Sequence, residues 1–300
     1  MAVVVQTPEA KWNPTDELGA TGLLSFAGQV QETYIEDLRW PAAYAIYDEM
    51  RRRDPTLRSM LNAVCLLARQ ASWRVTPASD KPADREAADF VESCREDMSI
   101  TFADWLDDCM SFLPFGWSWF ETVYKRRQGQ QPDRSDKASS QFDDGKTGWR
   151  KWAVRRQSSF HRWEFDEGGG VRGLWQMPAP DYRLRFIPIE KSLHFVAERD
   201  GGSPEGLALF EAAYEPWHYI KNLQIIGGIG WQRAFVGLPV FEYLERPSPD
   251  DKDRVDDMGQ GLVVDAKQYV AVPPQVKFRL ESRAIPVLAT CWPPSNTTVR

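Results

Sequence analysis

Residues 44–77 read YAIYDEMRRRDPTLRSMLNAVCLLARQASWRVTP, and the spacing of their apolar side chains decides the architecture. Tyr44, Tyr47 and Met50, then Leu57, Leu61, Val64 and Leu67, recur every three or four residues, the period of one helix face. Pro41 stands just ahead, where a first helical turn loses nothing by lacking an N–H. Asp54-Pro55 interrupts the run, because the residue before proline avoids the helical region, so two helices are expected. SWRVTP, residues 72–77, alternates Trp73 with Val75 and predicts a short strand.

Working outward, Pro82 and Asp84 open a helix carrying Ala87, Phe90, Val91 and Cys94. Another follows from Thr101 to about Leu113, with Phe102, Trp105, Leu106 and Cys109 as its apolar stripe and Pro114 and Gly116 as its stop. The period then changes. WSWFETVYKRR, KWAVRRQ, HRWEFDE, GLWQM and DYRLRFIPI are short aromatic runs between Gly or Pro breaks, and Tyr182, Leu184 and Phe186 alternate with Arg183 and Arg185 as in a half-exposed strand. Residues 128–148 read as a polar loop. Residues 115–198 are therefore expected to be a β-rich insertion.

Helical spacing returns at Pro204, with Leu207, Phe210, Tyr214, Trp217, Ile220 and Leu223 on one side and a bend expected at Pro216. Few charges fall there, so both faces should be covered by protein. LPVFEYLE, GLVV and PPQVKFRL predict strands around an acidic turn or short helix, SPDDKDRVDDMGQ. Residues 1–40 read as an arm broken by Pro14, Gly19, Gly22 and Gly28. The fold class is α+β.

The formal charge is −6, from 37 Lys and Arg against 43 Asp and Glu. That balance disfavours a sequence-reading DNA binder, which needs a basic surface; loose passage of DNA tolerates it. MAVVVQTPEAKW contains no long apolar run, and nowhere do eighteen apolar residues follow one another. Cys65, Cys94, Cys109 and Cys291 are too scattered for a disulfide framework and read as reduced, mostly buried thiols. Thirteen Trp imply broad aromatic cores or wide protein contacts.

No catalytic constellation emerges, and neither a metal nor a cofactor is expected. His161, His194 and His218 lie in no close ligand pattern. GGIG at 227–230 follows a helix and lacks the Lys-Ser/Thr of a phosphate loop. Asp104, Asp107 and Asp108 read as a solvated helix face. Asp250, Asp251, Asp253, Asp256 and Asp257 miss the terminal Glu of a calcium loop. The basic residues Lys125, Arg126, Arg127, Arg150, Lys151, Arg155, Arg156 and Arg162 run among Trp149, Trp152 and Trp163. They suit either nucleic acid, through phosphates and base stacking, or an acidic partner. Trp105, Phe210, Tyr214, Trp217, Ile220 and Leu223 are the candidates for subunit packing.

The order of these segments resembles tailed-phage portal proteins, particularly the branch that includes the portals of Mu-like phages. Residues 44–77 carry the helical opener with an acidic-Met-basic cluster, Asp-Pro and a closing Trp-x-Val-x-Pro. FADWLDDCMSFLPFGWSWFETVYKRR (102–127) is similar to their helix running into a Gly-aromatic segment. SSFHRWEFDEGGGVRGLWQ (158–176) matches an Arg-Trp-x-Phe-Asp hairpin, and IPIEKSLHFVAERDGGSPEGLALFEAAYEPWHYIKN (187–222) completes the series. The likeness covers about residues 40–245. After Pro-x-Gly the family commonly has Ser and then Arg; here Ala208 and Glu211 stand there.

The resemblance implies a portal fold: an arm (1–40), a first wing part (41–98), a stem helix (99–114), a β-rich clip (115–203), a second stem helix (204–236) and a second wing part (237–300) cut short at its C-terminus. It also implies a homo-oligomeric ring of about twelve copies at the capsid vertex of a virion, assembled in the host cytoplasm and independent of membranes. Its partners would be the packaging motor large subunit, head-tail connector and capsid proteins, and double-stranded DNA passing without sequence specificity during packaging and ejection. The competing expectations are a non-catalytic scaffold or adaptor unrelated to portals, and a polymer-acting hydrolase with an aromatic cleft.

Overall fold

Asp54 closes one helix and caps the next. In the computed structural model, α1 (Ala43–Arg53) ends at Asp54, whose carboxylate accepts hydrogen bonds from the backbone N–H groups of Thr56 at 2.8 Å and Leu57 at 2.9 Å. With Pro55 at the first position, α2 (Pro55–Gln70) starts on a satisfied N-terminus. The structure describes residues 19–130, 139–236, 238–260, 272 and 276–281. They fall into two units, Met1–Tyr214 and Glu215–Arg300.

In the first unit, the hairpin β1 (Ser25–Phe26) and β2 (Gln29–Val30) precedes α1 and α2. The expected arm thus packs on its own chain over residues 19–40: Gly28 O accepts from the backbone N–H of Trp163 at 2.7 Å, and Trp40 is buried. Then come α3 (Pro82–Glu96), α4 (Phe102–Cys109) and the single turn α5 (Phe112–Phe115). The stretch expected as one helix to Leu113 is two, parted at Met110–Ser111.

Two antiparallel three-stranded sheets follow. One has the order β4-β3-β8, from β3 (Trp117–Arg126), β4 (Thr147–Arg155) and β8 (Ser192–Val196). The other is β5-β6-β7, from β5 (Phe160–Phe165), β6 (Val171–Gln176) and β7 (Arg185–Pro188). The first half of β3, from Trp117 to Phe120, is buried on both faces. Trp117 and Trp119 point toward the second sheet, where their rings lie 5.0 and 5.7 Å from that of Trp163. Phe120, one step on, faces α4 and joins Trp105, Leu106 and Cys109 in a core. A strand stretch covered on both sides has no need of exposed polar residues; the one polar side chain in WSWF, Ser118, is itself buried and donates to Cys109 O at 3.1 Å.

Three expectations need correction. SWRVTP stays extended but pairs with no strand among the described residues; instead Trp73 O accepts from Arg95 at 3.0 Å. Tyr182 and Leu184 precede β7, with Tyr182 in a left-handed turn at φ 47. The third concerns residues 203–210, which are not helical. Gly206 adopts φ +57, and a Cβ there would lie 2.3 Å from Val196 Cγ1 and 2.7 Å from Glu198 O. This strap crosses the start of β3, where Gly116 is equally confined, and α6 (Glu211–Val236) begins only after it.

The second unit holds most of α6, with Pro216 inside it, the antiparallel pair β9 (Leu238–Tyr243) and β10 (Val276–Glu281), and α7 (Pro249–Gln260). The acidic stretch is therefore helical. GLVV and Cys291 lie outside the described residues.

Candidate functional site

The eight basic residues do not form one surface. Lys125 is buried: its Nζ donates to Asp97 O at 2.7 Å and Ser139 O at 2.8 Å and pairs with the Asp97 carboxylate at 3.1 Å. Arg127 is 2% exposed. It lies 4.0 Å from the Phe142 ring centroid, pairs with Asp144 at 3.1 Å and donates to Ser93 Oγ at 2.9 Å. Both fasten the β3–β4 connection onto α3. Burial alone would raise the Asp97 pKa, but hydrogen bonds from Ser140, Gln141 N–H and Lys125 together hold it below the ordinary carboxylate value.

Arg155 bonds Glu121, which also pairs with Lys191 at 2.8 Å. Arg162 lies 5.3 Å from the Trp175 ring. That leaves Arg126 and Arg156 exposed and Arg150 and Lys151 half-buried. Strand alternation turns Lys151 to the face opposite Trp152, whose ring packs 4.6 Å from Trp105. The acids of α4 behave as a helix surface: Asp107 pairs with Arg69 at 2.9 Å.

The apolar candidates also divide. Trp105, Phe210 and Tyr214 are buried in the chain's own core. Trp217 is half-buried, with Lys221 Nζ 4.8 Å from its ring. Ile220 and Leu223 are open, at 56% and 64% exposure. Sequence spacing missed their company: Tyr219, Ile225, Ile226, Ile229 and Trp231 are exposed too, so apolar side chains stand open over much of α6, beside a narrower polar strip that carries Lys221 and Gln224. The signal was present in the near absence of charge after Glu215. Met60, Val64 and Leu67 add a smaller exposed stripe on α2.

Among the described residues no three His, Cys, Asp or Glu side chains gather as metal ligands. Burial pushes the Cys109 thiol up to about 12 and His194 down to about 4. Cys65, Cys94 and Cys109 are free. No helix among the described residues is long and apolar enough to cross a membrane, α6 included.

Against known families, residues 44–284 match the model described as the portal protein of Mu bacteriophage. The chain belongs to that family. Among solved structures, this portal-family chain is similar to a chain in the neck of an empty gene transfer agent particle computed with C6 symmetry. Identity is 11%, the TM-score 0.42, and 79% of this chain and 62% of that chain are covered. A chain of a native gene transfer agent virion matches at 10% identity and TM-score 0.40, over 79% and 61% respectively. This portal-family chain thus spans about three fifths of the length of those chains. No curated protein matches it.

Proposed function

We propose that the chain is a structural portal subunit whose copies close into a ring around a channel at the capsid vertex. The observation that carries this reading is α6. A helix with so broad an apolar surface is normally covered by protein, yet Tyr219, Ile220, Leu223 and Ile226 stand exposed among the described residues. Burying each such side chain fully is worth about 1.5–3 kcal/mol. Neighbouring copies supply that cover. A cyclic ring brings two different faces of the subunit together, and the exposed stripe of α2 is a second apolar surface for such contact.

In this reading α4 with α5, and α6, act as the stem, the two three-stranded sheets form the clip, and the segments on either side form the wing. The ring of about twelve copies passes double-stranded DNA inward during packaging and outward at ejection. It meets the packaging motor large subunit, the head-tail connector and the capsid. DNA passes with little grip, in keeping with a charge of −6. Assembly takes place in the host cytoplasm, before the ring is built into the virion.

Native mass spectrometry of the full chain, with negative-stain imaging, tests the proposal. Closed oligomers with a central hole are expected. A chain that stays monomeric at high concentration overturns the proposal.

A further inference from the structure

Glu205 lies in the strap 203–210, at the foot of α6 and within the first unit. It is nearly enclosed, and its carboxyl accepts a hydrogen bond from Trp163 Nε1 at 2.9 Å. Neither Glu205 nor Glu211, the first residue of α6, has an ion pair among the described residues. The groups that bear on Glu205 are Tyr47 from α1, Trp163 from β5 and Glu211 from α6. His194 of β8 touches the same strap, its Nε2 2.9 Å from Pro204 O, and rests against the Trp119 and Trp163 rings. Arg199 acts on His194, and Asp200 acts on Glu211. The carboxylate that bears on this enclosed carboxyl is thus a second acid, Glu211.

Two inter-element backbone bonds fasten the strap: Leu207 N–H to Glu198 O at 3.0 Å, and Leu209 N–H to Leu113 O at 2.9 Å. We infer that Glu205 is a proton-dependent latch: its carboxyl seats the strap against Trp163 in the acid form, and loss of that proton loosens the strap. Burial is the main cause of its high affinity for the proton, with Glu211 adding to it and the Trp163 N–H opposing it. These place its pKa at about 8, against an ordinary 4.5. His194, at about 4, stays neutral through that interval.

The seated strap therefore holds a proton that the released strap gives up between the two values. Opening becomes easier as pH rises from 4.5 and levels off near 8. Neutral pH falls on the slope. The latch is independent of whether the chain assembles into rings.

Hydrogen exchange on the full chain, corrected for intrinsic rates, reads it directly at the Leu207 and Leu209 amides. Protection should fall by about tenfold per pH unit between pH 5 and 8 and then flatten. Glu205→Gln keeps an acceptor for Trp163 and removes the proton, so its protection should lose most of its dependence on pH, leaving only what Glu211, itself raised by burial, contributes. Glu211→Gln should move the plateau to lower pH, and it decides the matter even if Glu205→Gln fails to fold. Flat protection in the unmodified chain overturns the latch. So does an equal fall in Glu205→Gln, or an unmoved plateau in Glu211→Gln.

Discussion

Lys125 reaches Asp97 twice, through the backbone carbonyl at 2.7 Å and the carboxylate at 3.1 Å. A lysine in a basic aromatic strand has the look of a nucleic-acid contact, but here it is a bolt between β3 and the end of α3. Lys125→Met would leave the Asp97 carboxylate enclosed with only Ser140 and Gln141 as donors. Losing one partner of a buried pair costs about 3–5 kcal/mol. Denaturant unfolding should show that loss, and a second substitution, Asp97→Asn, should recover part of it.

The same carboxylate links stability to acid. Its folded pKa lies below the ordinary 3.8, so between those values the native state binds fewer protons than the unfolded chain. The contribution is whole above 3.8 and is lost as pH drops through the folded value. Unfolding curves at pH 5 should therefore match for the parent and Asp97→Asn in their slope against pH, whereas below pH 4 the parent should fall more steeply.

Core and assembly surface respond in opposite ways. Trp105→Ala empties the centre of the α4–β3 core and should cost about 3–5 kcal/mol, lowering the melting temperature of every species. Ile220→Lys combined with Leu223→Lys touches residues that are open in one copy. That pair should leave secondary structure and thermal stability of the single chain nearly unchanged while abolishing oligomers in native mass spectra.

Gly206→Ala meets two obstacles at once. Its φ of +57 strains any side chain by about 1–3 kcal/mol, and the new Cβ would fall 2.7 Å from a backbone oxygen. Melting should shift downward, with raised proteolysis at residues 203–210.

α1 and α4 were legible in the sequence because each buries one stripe, Ala43, Tyr47 and Met50 in the first and Trp105, Leu106 and Cys109 in the second, and period alone reveals a stripe. Asp54-Pro55 even placed the α1–α2 boundary. The strap was illegible: Leu207 and Phe210 keep helical spacing, and only the left-handed Gly206 breaks the helix there. The fate of Lys125 was hidden because its partner lies 28 residues away in sequence and Ser140 lies 43 from Asp97. Spacing cannot report such pairs. For α6 the reading went further, since a run so poor in charge implied cover on both faces; it did not show which side chains stand open, as Ile220 and Leu223 do at 56% and 64% exposure.

The open side chains of α6 have a consequence for how a single copy of the chain behaves. A free copy exposes a greasy rod of isoleucine, tyrosine and tryptophan to the cell, and surfaces of that kind stick to one another without order. In the proposed ring reading, closure must outrun precipitation, so solubility will depend on how quickly new copies find neighbours. Production at low concentration, or together with capsid components, should yield more usable protein than strong expression of the chain alone.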